Sequence, residues 1–276
     1  MADRYDFEYL RTELRDDGVL WITLDRPERR NAITPAMHAE LAPLFESVAK
    51  DGDVKVVVLT GAGDKAFCVG ADFAGMQEGI DSGGYEDGFP GLMLESAAIV
   101  RAQLALHQPI IAAINGDAIG LGATMALFCD IPLLAAEAKI GDPHVKAGIV
   151  AGDGGAILWP LLLGINRGKE YLMTGDLMTA AEAFQYGLVN HVYPRAELLD
   201  RAAELATRLA RGASIAIQFN KRLANAYLID RVNRVIDSSL AMEAITFYSA
   251  DHREAVSAFL ERREPVFGTG TQEKVS

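Results

Sequence analysis

The chain has 276 residues, half of them hydrophobic, and a formal net charge of −12 at neutral pH. Its apolar runs stop short of the roughly 18 residues that a membrane span needs, and its acidic surplus would repel nucleic acid and anionic membranes, so we expect neither partner. Cys68 and Cys129 lack the spacing of metal ligands, so they are read as buried thiols and no metal site is predicted. The charged N-terminal segment lacks an apolar signal region, which favours a cytoplasmic protein.

The first elements alternate between strands and a helix. Residues 8–25 are predicted to form a hairpin that ends in the strand VLWITLD. Thr34 and Pro35 are suited to begin the next helix, one as its N-cap and the other as its first residue. The apolar run VKVVVLTGAG then has the length of a buried strand.

The second half begins with an irregular stretch and becomes largely helical. Residues 77–91 are dense in Gly and Asp, which predicts a mobile loop that could act as a lid. A helix at 92–107, the strand PIIAAING, the short helix GATMALFCD and the strand IPLLAAE follow. After about residue 155 the pattern predicts helices almost throughout, with amphipathic segments at 195–210, 214–228, 231–249 and 251–262.

Two segments share one design, in which a strand leads through a turn of small residues into a helix. They are KAFCVGADF at 65–73 and INGDAIGLGATMALFCD at 114–130. Glycine lets a ligand approach the backbone closely, and the first N–H groups of a helix have no partner within it. Two such turns facing each other would form an oxyanion hole, in which each donor can lower a barrier by roughly 3 kcal/mol.

These segments, with DRPERRNAI, IGDPHVKAGIVAGDGG, GLVNHVYP and AFLERREPVFG, occur in an order that resembles the crotonase superfamily, the enoyl-CoA hydratase/isomerase family. The resemblance covers about residues 14–268. It implies an α/β fold, a crotonase-like spiral of strand-strand-helix repeats with a helical C-terminal trimerisation region. Residues 1–195 would form the core and 196–276 the oligomerisation region, in a homotrimer or a dimer of trimers.

The resemblance also implies a substrate. Members of the family act on acyl-CoA thioesters, so coenzyme A enters as part of the substrate and no other cofactor is expected. The thioester carbonyl would be held by the backbone N–H groups of Ala71 and Leu121. Phe259 and Arg262 match a C-terminal pattern that contributes to the CoA site of a neighbouring subunit. The residues implied in CoA binding are Arg29, Arg30, Val69, Asp72, Phe73, Phe259 and Arg262.

Two positions depart from the family's hydratases, which use a pair of glutamates to deliver water. Thr124 and His144 stand at those positions. A threonine hydroxyl titrates far outside the working range and cannot act as a general base, although it can hydrogen-bond a substrate or water. The two-carboxylate mechanism is therefore absent from this sequence.

His144 has the side chain best suited to accept a proton near neutral pH, and Asp153, nine residues on, is the candidate carboxylate on its far nitrogen. The pattern resembles that of oxocamphor hydrolase, a superfamily member that hydrolyses a carbon–carbon bond of a cyclic β-diketone. It implies that His144 activates water and Asp153 orients the ring. The alternatives are that Asp153 is only a helix N-cap and that His144 only packs.

Glu243 and His38 are further candidate pocket residues, with a structural role as the alternative for each. The preferred reaction is hydrolytic cleavage of a β-dicarbonyl compound, either a CoA thioester or a free β-diketone. A hydratase or isomerase that uses His144 in place of a glutamate is the second reading. A third is a non-catalytic or RNA-binding member, which the acidic charge and the two oxyanion turns disfavour.

Overall fold

The computed structural model describes residues 4–82 and 84–268, and for 84–90 the backbone alone. In this part of the chain, ten strands form two sheets. The strands are β1 (Leu10–Leu14), β2 (Val19–Leu24), β3 (Val56–Gly61), β4 (Ala66–Cys68), β5 (Ile110–Ile114), β6 (Asp117–Ile119), β7 (Ile131–Ala135), β8 (Lys139–Gly141), β9 (Leu177–Thr179) and β10 (His191–Tyr193).

Ten α-helices lie in the same described ranges. They are α1 (Pro35–Lys50), α2 (Phe73–Asp81), α3 (Gly84–Ala105), α4 (Leu121–Leu127), α5 (Gly155–Leu163), α6 (Ile165–Thr174), α7 (Ala180–Gln185), α8 (Arg195–Ala210), α9 (Ser214–Phe247) and α10 (Ala250–Glu261). Short 3₁₀ turns occur at Pro27–Arg29 and His144–Ala147.

Successive strand pairs divide between the two sheets, and this division makes the spiral. The larger sheet has the order β1-β2-β3-β5-β7-β10, and the smaller has the order β4-β6-β8-β9. Each of the pairs β3/β4, β5/β6 and β7/β8 therefore contributes one strand to each sheet before the chain turns into a helix. The predicted α/β spiral of strand-strand-helix repeats is confirmed.

The core lies on both faces of the larger sheet. Every residue of β3 and β5 is buried, as expected of parallel strands that are covered on both sides. Helix α8 packs on β3, β5 and β7, so the first helix of the C-terminal region belongs to the core packing. The hydroxyl of Thr34 accepts a hydrogen bond from Met37 N at 3.2 Å, which confirms the predicted N-cap of α1.

Three predictions of secondary structure were wrong. The stretch 77–91, expected to be a loop, is helical in α2 and α3 apart from a break near Ser82, and Gly83 lies outside the described residues. The carboxylate of Asp72 begins α2 by accepting from Ala74 N at 3.1 Å. A lid role for this stretch stays a prediction.

The other two errors concern the C-terminal half. Strands β9 and β10 interrupt the stretch that was expected to be almost wholly helical. The segments 214–228 and 231–249 form one helix, α9, because no Gly or Pro separates them and the backbone hydrogen bonds continue. None of the helices in the described ranges is long and apolar enough to cross a membrane.

Candidate active site

The two glycine-containing turns lie side by side at the ends of neighbouring strands. Strands β4 and β6 are paired in parallel, so Ala71 and Leu121 follow adjacent carboxyl ends. Gly70 has a φ of 79°, and a Cβ at that position would lie 2.8 Å from the carbonyl oxygen of Ile119 and 3.5 Å from the nitrogen of Leu121. The close approach of the two turns therefore requires glycine at position 70.

Local hydrogen bonding leaves a donor available on each turn. Ile33 N donates to Gly70 O and Asp72 N donates to Ile33 O, so the N–H of Ala71 lies between these bonds and takes no part in them. The N–H of Leu121 is the first of α4 and has no acceptor within the helix. Ala71 and Leu121 line one cavity, so their role as the two donors of an oxyanion hole stays a prediction that this placement allows.

That cavity has a volume of about 420 Å³ and a mainly apolar wall. Residues from the N-terminal half, the loop after β8 and helix α9 all contribute to it. Among the sequence-predicted site residues, it brings together His38, Ala71, Asp72, Leu121, His144, Asp153 and Glu243.

His144 enters the cavity from the loop after β8, which pairs in parallel with β6. Its ring lies against Gly120, where a Cβ would come within 3.5 Å of the ring carbon Cε1. The Nδ1 atom is hydrogen-bonded to Oδ1 of Asp142, a residue that the sequence reasoning did not select. The Nε2 atom faces Oδ2 of Asp153 at 3.7 Å.

The structure thus differs from the expected arrangement of the histidine. Asp142, two residues before His144, fixes the ring through its Nδ1 atom, while Asp153 lies on the side of Nε2. Asp153 is also not the N-cap of α5, which is Gly154, and its contact with Gly155 N is long at 3.5 Å. The hydroxyl of Thr124 instead donates to Oδ1 of Asp153 at 3.2 Å and holds that carboxylate in place.

The buried carboxylates control the protonation of the histidine. Burial alone lowers the pKa of His144, but the negative charges of Asp142 and Asp153 outweigh it and raise the pKa to about 10. Burial raises the pKa of Asp153 above the ordinary carboxyl range. The His144–Asp153 pair therefore carries a proton at neutral pH.

Glu243, on α9, is the third acidic side chain near His144, after Asp142 and Asp153. It is 5% exposed, and its Oε2 has no hydrogen-bond partner among the described residues. Burial, followed by the charge of Asp153, raises the pKa of Glu243 to about 8. The carboxyl group is therefore mostly protonated at neutral pH.

We expect Glu243→Gln to stabilise the protein at pH 9 more than at pH 5. A carboxyl group whose folded-state pKa is raised contributes stability below its unfolded pKa and loses it as pH rises through the folded value, here between about 4.5 and 8. Glutamine mimics the protonated form at every pH, so the gain should reach the order of 2–4 kcal/mol above pH 8. Denaturant unfolding at both pH values measures it.

Glu170→Gln, at an exposed position of α6, is the matched control and should show no such pH-dependent gain. An equal effect of Glu243→Gln at pH 5 and pH 9 would contradict the raised pKa.

His38 lies on α1, which packs on α3, and two side chains of α3 hold its ring. Its Nδ1 is 3.0 Å from Oε2 of Glu95, and its Nε2 is 3.2 Å from Oγ of Ser96. All three residues line the cavity, and the sequence reasoning selected only His38. Glu95 and Ser96 gave no signal in the sequence, because they are neighbours of His38 only through the packing of α1 on α3.

Of the residues implied in CoA binding, Asp72 alone is among the residues that line the cavity in the described part of the chain. Arg29 is the last residue of the first 3₁₀ turn, Arg30 follows it, and both are exposed, whereas Val69 is half-buried after β4. Phe73 stacks on Phe259 of the same chain with ring centroids 4.1 Å apart, whereas the resemblance places Phe259 against a neighbouring subunit. Asp72 caps α2 and lies 3.5 Å from the guanidinium of Arg26, and Arg262 is exposed at the end of α10.

Comparison with known proteins gives a consistent result. The sequence model of the enoyl-CoA hydratase/isomerase family matches residues 15–270. The chain is 33% identical to a crotonyl-CoA hydratase of Syntrophomonas wolfei, over 92% of this chain and 95% of that protein.

Two solved structures are also similar. An enoyl-CoA hydratase/isomerase of Mycobacterium paratuberculosis has a TM-score of 0.86 and 32% identity, covering 92% of this chain and 99% of that chain. A β-diketone hydrolase of the cyanobacterium Anabaena sp., bound to (S)-3-oxocyclohexyl acetic acid, has a TM-score of 0.80 and 31% identity, covering 87% and 94%. With the spiral fold, the two adjacent glycine-containing turns and these matches, the chain belongs to the enoyl-CoA hydratase/isomerase family of the crotonase superfamily.

Proposed function

We propose that this enzyme hydrolyses a carbon–carbon bond of a β-dicarbonyl substrate carried as a CoA thioester, and that His144 and Asp153 activate the attacking water. The observation that supports the proposal most is the Asp142–His144–Asp153 relay beside the two oxyanion donors. It stands where the family resemblance implies a glutamate, and Thr124 stands where it implies the other. The structural similarity to a β-diketone hydrolase favours the same reaction class.

Because the His144–Asp153 pair holds a single proton, it can act first as a base toward water and then as an acid toward the product. The member of the pair that lacks the proton accepts one from water, whose oxygen adds to the carbonyl distant from the thioester. The bond between that carbonyl carbon and the α-carbon breaks, and the electron pair passes to the thioester as an enolate. The N–H groups of Ala71 and Leu121 stabilise the enolate oxygen.

The cycle closes when the other member of the pair donates its proton to the α-carbon. The pair again holds one proton, and the products are a carboxylic acid and a shortened acyl-CoA. Thr124 keeps Asp153 oriented through its hydrogen bond. Glu243 is mostly protonated at neutral pH, so it adds no further negative charge beside His144 and Asp153, where water would be activated.

Hydration or isomerisation of an enoyl-CoA, with His144 in place of a glutamate, is the second candidate function. The similarity to a crotonyl-CoA hydratase favours it. Parallel assays separate the candidates: hydration of crotonyl-CoA, hydrolysis of a β-ketoacyl-CoA and hydrolysis of a cyclic β-diketone. Turnover of crotonyl-CoA without hydrolysis of either dicarbonyl would overturn the proposal.

If CoA carries the substrate, Arg29→Glu combined with Arg262→Glu should raise KM for a CoA thioester by at least about 10-fold and change kcat little. The phosphates of CoA need local positive charge on a protein of net charge −12, and hydrogen bonds to charged groups contribute about 1.5–3 kcal/mol each. Steady-state kinetics and CoA calorimetry measure the effect.

Arg208→Glu, at an exposed position of α8, is the control for a charge reversal remote from the cavity. An unchanged KM and an absence of CoA binding would point to a free ketone or acid as the substrate.

We also propose that the enzyme works as a homotrimer or a dimer of trimers in the cytoplasm, with 196–276 as the oligomerisation region. Helix α9 carries an exposed apolar stripe at four-residue spacing, and a stripe of this kind is typical of a surface that another chain covers. Its members are Ile215, Phe219, Leu223 and Tyr227.

A further inference from the structure

A second group of chemically competent side chains lines the cavity. Ser96 Oγ lies 3.2 Å from Nε2 of His38, and Nδ1 of the same ring lies 3.0 Å from Oε2 of Glu95. A hydroxyl, an imidazole and a carboxylate in this sequence of contacts form the nucleophile–base–acid arrangement used in acyl transfer. The proposed hydrolysis uses none of the three.

The hydrogen bonds favour the tautomer that a general base needs. The carboxylate of Glu95 accepts from Nδ1–H of His38, which leaves the lone pair of a neutral ring on Nε2. The single hydroxyl proton of Ser96 has two acceptors in reach, the carbonyl oxygen of Leu92 at 3.0 Å and Nε2 at 3.2 Å. A shift of that proton from Leu92 to His38 requires only rotation of the hydroxyl.

The position of the group matches an acyl substrate. Ser96 and His38 are buried, and the side chain of Glu95 is 49% exposed, so the base lies inside the cavity and its acid reaches solvent. The oxyanion donors on Ala71 and Leu121 line the same cavity. A carbonyl bound by those donors would share the cavity with two separate groups of polar side chains, one containing His144 and the other His38.

We propose that Ser96, His38 and Glu95 form a second catalytic centre that hydrolyses thioesters or activated carboxylic esters through an acyl-serine intermediate. Ser96 and His38 are the catalytic residues, and Glu95 is a positioning residue that holds the ring.

The steps balance without any further reactant except water. Ser96 Oγ bonds to the acyl carbon and its proton passes to Nε2 of His38. The bond from the acyl carbon to sulfur or oxygen breaks, and the leaving thiol or alcohol takes that proton. Water then adds to the acyl-serine ester with His38 as base, and collapse of the adduct releases a carboxylic acid and returns the proton to Ser96.

The test uses 4-nitrophenyl butyrate as the probe, with the full chain in solution. We expect a burst of 4-nitrophenol, a gain of one butyryl group in the intact mass, and its location on Ser96 by peptide mapping. Ser96→Ala should remove both the burst and the adduct, and Ser96→Cys should retain acylation. Ser47→Ala is the matched control, because Ser47 also bonds the carbonyl four residues before it on a helix, at 2.8 Å.

Two further variants separate catalysis from structure. His38→Gln should slow acylation by about 10²–10⁴-fold, the usual contribution of a general base. Glu95→Gln removes a negative charge from Nδ1, so the pH midpoint of acylation should move downward, which a structural role would not produce. Absence of the adduct in the wild-type chain, or an adduct that persists in Ser96→Ala, would overturn the proposal.

Discussion

Replacing His144 with alanine is expected to reduce turnover of the substrate by at least about 10³-fold, because the change removes the proposed partner of water in proton transfer. The ring contacts Gly120 and two carboxylates and fills no apolar core site, so the fold should be kept. Measurement of kcat on purified protein, with circular dichroism as a check of folding, tests both statements.

His144→Ala should also make stability dependent on pH in a defined direction. The variant leaves the buried carboxylate of Asp153 without its cation, so thermal stability should fall at pH 8 and recover toward pH 5 as Asp153, whose pKa burial raises, takes up a proton. His191→Ala, at an exposed position of β10, is the control and should leave both properties unchanged. Full activity in His144→Ala would refute the assignment.

The second large effect concerns the two carboxylates that flank the histidine. Asp142→Asn and Asp153→Asn should each lower kcat by about 10²–10⁴-fold, because each removes a charge that holds the proton on His144. The alkaline limb of the kcat profile, where the His144–Asp153 pair loses its proton, should move to lower pH in both variants. Profiles of kcat against pH for the wild type and both variants provide the measurement.

Thermal melts separate catalysis from a structural role in the same variants. In Asp153→Asn the amide oxygen of the new side chain would still accept from Thr124, so the loss of stability should be no more than about 1 kcal/mol, the usual net contribution of one hydrogen bond. Unchanged kinetics with a small shift in Tm would mean that Asp153 serves only as a structural partner of Thr124.

The sequence was sufficient for the parts of the fold that local chemistry determines. Thr34 and Pro35 mark the start of α1, and the apolar run at 54–63 contains the buried strand β3. The Gly/Asp content of 77–91 was misleading because composition does not show the cap that Asp72 provides to α2. The short strands β9 and β10 are stabilised by pairing with β8 and β7, contacts that no local pattern reveals.

The sequence predicted only part of the candidate site, because local motifs do not show which distant segments pack together. The cavity contains Ala71, Leu121, His144 and Asp153 because each follows the end of a strand or a turn with a recognisable motif. Asp142 was overlooked although an aspartate two residues before a histidine, directly after a strand, could have suggested a side-chain contact. Glu95 and Ser96 come from a helix face, and only the crossing of α1 and α3 shows that they meet His38.

Helix α9 has 34 residues and carries Glu243 and Phe247, which line the cavity, near its C-terminal end. Synthesis proceeds from the N-terminus, so the ribosome has already released every strand of both sheets before it reaches these two residues. A nascent chain can therefore form both sheets before the part of the cavity that α9 lines has been synthesised. The proposed hydrolysis therefore becomes possible only after residue 247 has been synthesised, and a product that stops before residue 243 is expected to fold in part and to lack this activity.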